Sequence, residues 1–402
     1  MKPSHDFPVF ACLFAVLDVV VLMRLYVLLR PMPGRAYWRA FLVTWLLIAI
    51  GFCVLGIFHN SLLGGSRDPV SRPMVAGQYI WHFLLVPVLV LGLLMELVAR
   101  LLPRLRRGVR PPDGPESQPE LPSLQAAKFS RRQFLASAAF VAAPVATAGL
   151  SGVGISQIGK FRLKFYDLAV TGLPAALDNY SITVIADVHV GVFSTQKMLD
   201  DIAEASNQLR SNLVLLPGDL INISHADLPA ALDMVLRLDS RDGVYLIEGN
   251  HDVVQGPGEF DDAVRRRGVN ILVDEATVIG ARGAAFQLLG TRWLTPEDRD
   301  ASVAYTAGLR DPDMFAIMMA HHPHSWDVAA DCGIPLVISG HTHGGQIMLT
   351  RNIGLGRLRF RYLSGEYNRP GSTLIVSNGV GNWFPLRIGA PAEILRINLH
   401  PA

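Results

Sequence analysis

Five short, β-branched apolar runs after residue 160 of this sequence each stop at a carboxylate, an amide or an imidazole, and that pattern constrains the fold most. Ser181–Ala186 leads into Asp187-Val188-His189, and Leu213–Leu216 into Gly218-Asp219. Val244–Ile247 leads into Gly249-Asn250-His251-Asp252, Met314–Met319 into His321, and Leu336–Ile338 into Gly340-His341-Thr342-His343-Gly344. Runs of this length, rich in Ile, Val and Leu, read as buried strands. The amphipathic stretch Gln196–Arg210 reads as a helix between the first two. Strands interleaved with helices predict an α/β domain with a layered sheet core, and they put the polar residues on loops at strand ends. Five loops then converge on one rim. In an extended Asp-x-His or His-x-His segment alternate side chains share a face, so both members of each pair reach one site.

The donors Asp187, His189, Asp219, Asn250, His321, His341 and His343 combine carboxylate, amide oxygen and imidazole without thiolate, which suits Mn²⁺, Fe or Zn²⁺. Seven donors exceed the needs of one tetrahedral ion and fit two divalent ions. Such a pair activates water at neutral pH and clamps a phosphoryl group. The three cysteines, Cys12, Cys53 and Cys332, are too few and too scattered for a disulfide framework or a thiolate zinc site. A net charge of +2 supplies no basic field, so no nucleic-acid partner is expected. His225, His322, His324 and His400 read as ordinary loop histidines. The adjacency of His321 and His322 leaves open which of the two binds metal.

Half of the residues are hydrophobic, and the excess falls before residue 160. Pro8–Leu29, Trp38–Phe58 and Tyr79–Val98 have the length of membrane-spanning helices. Arginines collect after the first run (Arg30, Arg35, Arg39) and after the third (Arg100, Arg104, Arg106, Arg107, Arg110), which puts both stretches in the cytoplasm and the N-terminus outside. Pro111–Ser123 has linker composition. Ser130-Arg131-Arg132-Gln133-Phe134-Leu135 and the Ala- and Gly-rich run behind it resemble a twin-arginine export signal, with Ala146-Thr147-Ala148 as a cleavage sequence; a fourth span is the other reading. Both put the following domain on the outer face of a multi-pass inner-membrane protein. The expected organisation is a membrane domain over 1–99, a basic, Pro-rich linker over 100–129, a signal anchor or fourth span over 130–159, and a catalytic domain over 160–402. Asp18 sits well inside the first run and has no explanation in the sequence.

Taken together, the motifs resemble the calcineurin-like metallophosphoesterase superfamily over Asp187 to His343. Val376–Gly381 and Pro385–Ile394 look like the closing segment of its membrane-anchored bacterial branch. The layout is similar to the group described as transmembrane protein with metallophosphoesterase domain. The resemblance implies a four-layer sandwich of two mixed β-sheets flanked by helices. It implies that Asp187, His189, Asp219 and His343 hold one metal, and that Asp219 bridges to a second completed by Asn250, His321 and His341. His321 is preferred to His322 because the family pattern is His-x-Pro, matched by His321-His322-Pro323. His251 would donate a proton to the leaving oxygen, with Asp252 orienting it. One departure is Asn222, three positions after the bridging aspartate, where the family commonly has an acid.

The implied reaction is phosphodiester hydrolysis. Closeness of the domain to the fourth apolar segment points to a lipid- or envelope-linked phosphoester; Trp383-Phe384 reads as a core pair, the commoner case, or as one that dips toward the bilayer. A cytoplasmic-facing nucleotide-sugar pyrophosphatase is the rival. A non-catalytic metal-dependent binding or sensing module is a different class, which the intact His251 opposes. Transport by the spans themselves would rest on Asp18 alone.

Overall fold

In a computed structural model of the chain, the described residues are 131–402 apart from 282, 351 and 352, together with 71–91 and the positions 16–20, 23, 43, 44, 47, 51 and 94. Two compact units are present: Met1–Leu62 with Pro73–Gly152, and Leu63–Arg72 with Val153–Ala402.

In the first unit, helix α1 (Ser71–Tyr79) runs on into a π-helical turn, Ile80–Leu85. Asp18 finds its partners here. It is fully buried, its carboxylate accepts from Trp81 Nε1 at 2.7 Å, and its second oxygen lies 3.0 Å from His82 Nε2. Helix α2 (Arg131–Gln157) covers the segment expected to be an export signal or a fourth span. Among the described residues no helix is long and apolar enough to cross a membrane. The expected spans at 8–29 and 38–58 lie largely outside the described residues; the third, at 79–98, is described as far as 91 and at 94.

The second unit is built on two six-stranded mixed sheets. The first comprises β1 (Arg162–Val170), β2 (Tyr180–Val184), β3 (Leu213–Leu216), β4 (Val244–Leu246), β5 (Asn270–Ile271) and β14 (Glu393–Pro401), in the order β1-β14-β2-β3-β4-β5. The second comprises β6 (Glu275–Ala281), β7 (Ala284–Gly290), β8 (Ala316–Met319), β9 (Leu336–Ser339), β12 (Gly365–Arg369) and β13 (Ser372–Val376), in the order β12-β13-β9-β8-β7-β6. Strands β2 to β5 run parallel, as do β7, β8, β9 and β13.

The period of two explains the layers. Leu213 and Leu215 of β3, with Ile317 and Met319 of β8 and Leu336 and Ile338 of β9, belong to one core between the sheets. Their neighbours Val214 and Leu216 face outward onto α3 (Gln196–Gln208), α4 (Leu228–Val235) and α5 (Pro257–Arg266). On the far side Ala316, Met318 and Val337 meet α6 (Pro296–Gly308) and α7 (Ser325–Asp331) through Val303 and Trp326. Strands buried on both faces carry no polar alternation, which is why they appear in the sequence as unbroken apolar runs. Two mixed sheets with helices outside are the arrangement the resemblance implied.

Boundaries differ from expectation for local reasons. The helix expected to reach Arg210 ends at Gln208, because Arg210 adopts a left-handed backbone with φ of 48°. At its start, the Thr195 side chain accepts the Met198 amide at 2.9 Å as an N-cap. The strand expected from Met314 begins at Ala316, since the Met314 amide closes a turn onto Asp311.

Candidate metal centre

The loops that follow β2, β3, β4, β8 and β9 meet at one end of the sheets. Backbone hydrogen bonds from Asp187 to Gly218 O (3.1 Å), from His189 to Asp219 O (3.0 Å) and from Asn222 to Val190 O (3.0 Å) zip the first two loops together. The polar residues at the rim are held in uncommon backbone. Asp187, His189, Asp219, His341 and His343 all have positive φ, between 48° and 70°. Each such non-glycine residue is strained by about 1–2 kcal/mol, so their concentration at one rim marks a functional centre. Two glycines permit the approach. A Cβ on Gly249 would stand 2.2 Å from Asp219 Oδ1, and one on Gly340 would stand 2.3 Å from Asp187 Oδ2.

All seven expected donors come together. Asp187, His189 and His343 form one group able to hold an ion, Asp219, His321 and His341 form another, and His189, Asp219 and His251 lie close enough to form a third. Asp219 Oδ2 stands between the first two, 3.4 Å from His189 Nε2 and 3.2 Å from His321 Nε2. Asn250 Oδ1 lies 2.8 Å from His341 Nδ1 and 3.2 Å from His321 Nε2. His321 Nδ1 donates to Pro217 O at 2.7 Å, which turns Nε2 toward Asp219. His322 stays out of these donor groups, its ring 4.7 Å from that of His341 and its Nδ1 accepting the His324 amide at 3.2 Å. His225 and His400 also lie outside the cluster; the latter pairs with Asp178 at 2.8 Å.

The donor set fits divalent cations on its own chemistry. His189 Nε2 and His343 Nε2 approach to 2.9 Å, and buried Asp187 Oδ2 has no hydrogen-bond partner. Burial, reinforced by neighbouring positive groups, pushes His189, His341 and His343 well below the ordinary imidazole value, so they are neutral, the form that ligates a metal. His321 differs. Burial alone would lower it, but the Asp219 and Asp187 carboxylates and the Pro217 carbonyl together outweigh burial and raise it to about 9. Burial and the Asp219 charge raise Asp187 to about 7.

Residues 180–345 match the family described as calcineurin-like phosphoesterase. A Helicobacter pylori protein described as an uncharacterized metallophosphoesterase is 30% identical over 264 residues, covering 62% of this chain and 70% of that one. The chain belongs to the calcineurin-like phosphoesterase family. The Escherichia coli phosphodiesterase YaeI is 27% identical over 282 residues, 67% of this chain and 99% of its own length. The Bos taurus transmembrane protein with metallophosphoesterase domain is 26% identical over 254 residues, 59% and 56% of the two chains. Membership makes the protein a metal-dependent phosphoester hydrolase of a family that uses a dinuclear divalent centre, and the clustered Asp and His residues could bind both ions.

One expectation needs correction. Asp252 does not orient His251. Its carboxylate accepts the backbone amides of Ile221 (3.0 Å) and Gly249 (2.9 Å), clamping two ligand loops, and burial with the Asp219 charge raises it well above the usual carboxylate range. The His251 ring is instead fixed by Asn222, whose backbone carbonyl accepts from Nδ1 at 2.5 Å. A main-chain acceptor explains how the departure at Asn222 leaves the ring oriented. Of Trp383-Phe384, Phe384 is buried, as the core reading has it, and half-buried Trp383 lies 6.4 Å from the His251 ring.

Some site residues escaped the sequence reading. Arg387 is buried and donates through Nη2 to His343 Nδ1 (2.7 Å) and through Nη1 to Asn378 O (2.7 Å). Its signal was an arginine inside an otherwise apolar tail. The Trp293 ring lies 5.3 Å from His341, tilted, and 5.5 Å from His321, edge-on, and the Phe360 ring lies 5.4 Å from His341. These two rings carry no motif at all.

Proposed function

We propose that this protein is a membrane-anchored phosphodiesterase acting on a lipid- or envelope-linked phosphoester. The observation that carries the hydrolase chemistry is Asp219 Oδ2, within 3.4 Å of one histidine group and 3.2 Å of the other. Asp187, His189 and His343 would hold one ion and Asn250, His321 and His341 the other, with Asp219 in reach of both groups. Bound there, two divalent ions supply the Lewis acidity that activates water at neutral pH and offsets phosphoryl charge.

The rest is done by the chain. His251 is tethered through Nδ1 to Asn222 O, which leaves Nε2 as the position that carries a proton toward a leaving oxygen. His189 lies edge-on to His251, ring centroids 4.5 Å apart, which limits how far the donor ring can swing. Trp293 and Phe360 beside the ligands shed water and offer a face to the organic part of a diester.

Diester preference draws support from the relative named as a phosphodiesterase, and membrane attachment from the relative named as a transmembrane protein. The apolar runs before residue 100 and the arginine distribution support an extracytoplasmic catalytic domain over 160–402. Hydrolysis of bis(p-nitrophenyl) phosphate by the full chain with Mn²⁺ tests the chemistry. Folded protein inactive with every divalent ion would favour the binding module. Reporter fusions after residue 160 test the side; a cytoplasmic result would favour the nucleotide-sugar reading.

A further inference from the structure

Among the described residues the most exposed large apolar side chains are Leu358 (86%) and Leu349 (79%), and Ile353 (59%) and Leu355 (55%) sit beside them in the chain. All four belong to one excursion. The chain leaves the metal centre at Gly345, forms the antiparallel pair β10 (Met348–Thr350) and β11 (Ile353–Gly354), turns through Leu355–Leu358, and returns at Phe360 beside His341. The excursion is pinned at its base. The Leu355 amide donates to Ile347 O at 3.1 Å and the Phe360 amide to Gly356 O at 2.9 Å. A Cβ on Gly356 would stand 2.3 Å from Gly345 Cα, so the two ends are in close backbone contact. These leucines are therefore held outward by a fixed scaffold. Exposed aliphatic groups gathered in this way mark an interaction surface.

Charge says what kind. Between Gly345 and Gly365 the sequence contains no acidic residue. Arg357 and Arg359 are exposed; Arg357 Nη1 donates to Arg361 O at 2.9 Å, the Arg359 guanidinium lies 5.7 Å above the Phe360 ring, and Arg361 is drawn to Asp327 at 3.3 Å. Aliphatic side chains interleaved with arginines match a medium that is apolar at one depth and anionic at the next. That is the headgroup and acyl boundary of an acidic membrane, where Leu and Ile enter and guanidinium groups meet phosphates.

We propose that the face formed by Leu349, Ile353, Leu355 and Leu358 with Arg357 and Arg359 docks onto an anionic phospholipid surface. Since the excursion begins and ends at the metal centre, docking brings the site to headgroup level. The inference extends the reading of a bilayer-borne substrate, and its test does not use turnover.

The full chain, with its three cysteines replaced and a bimane label at L358C, is placed in nanodiscs containing doxyl-labelled lipid. Nanodiscs offer both membrane faces, so sidedness does not enter. The label should be quenched in phosphatidylglycerol–phosphatidylcholine discs and much less in pure phosphatidylcholine, and a label at K197C should be quenched in neither. Adding R357Q should shift the docked-to-undocked ratio about fivefold, the share of one arginine at an anionic surface. Equal quenching in both lipids, or none in folded protein, overturns the proposal. So does energy transfer between labels on two copies in place of lipid quenching, which would assign the face to a second chain. Turnover of bis(p-nitrophenyl) phosphate in the same discs reports the hydrolase reading separately.

Discussion

His251 is the residue on which hydrolysis and mere binding part company. Its Nδ1 is committed to Asn222 O, so only Nε2 can serve a leaving group. H251N should reduce kcat by about 10²–10⁴ for a diester with an alkyl leaving group, and far less for p-nitrophenolate, which departs without help. Bound metal, measured by atomic absorption, should stay unchanged; equal losses with both substrates would assign the ring to structure. His321 and Asp187 set the pH response. Both are raised in the folded protein, to about 9 and about 7. The stability they give the metal-free protein is present below their unfolded values and is lost as pH rises through those two. Cations must displace both protons. Mn²⁺ affinity by calorimetry should therefore climb from pH 6 to 9, with proton release that diminishes over the same interval. The seven donors were legible because each ends an apolar run. Arg387, Trp293 and Phe360 were not, because loop packing over long sequence separations brings them in without any periodic pattern.

Elements were legible where burial is two-sided. Leu213–Leu216 was read with the bounds it has, and β4 and β9 within one residue. Strands such as β6 and β12, partly exposed and mixed in composition, gave no comparable signal. Loop junctions hold the element-scale test. Gly249 leaves β4 against Asp219, where a methyl group has no room. G249A should destabilise the protein by about 1–3 kcal/mol through overpacking. It should also weaken metal retention by moving Asp219 and Asn250 apart. Thermal melts with and without Mn²⁺ check this: a variant that melts normally in both conditions would show that the junction yields.

At the scale of the molecule, the first sheet is ordered β1-β14-β2, with β14 parallel to β1 and antiparallel to β2. Sequence patterning shows strands but not which one slots between which, so this order was not readable beforehand. The tail leading into β14 also carries Asn378, Gly379 and Arg387, which back the Asp187 and His343 loops. A strand synthesised after every other strand thus fills a gap near the edge of a sheet begun some 230 residues earlier, as the Arg162–Glu393 pairing records. A ribosome-bound chain halted before Glu393 would have its ligand loops made and its first sheet split. The first sheet therefore closes only once β14 is free to enter between β1 and β2.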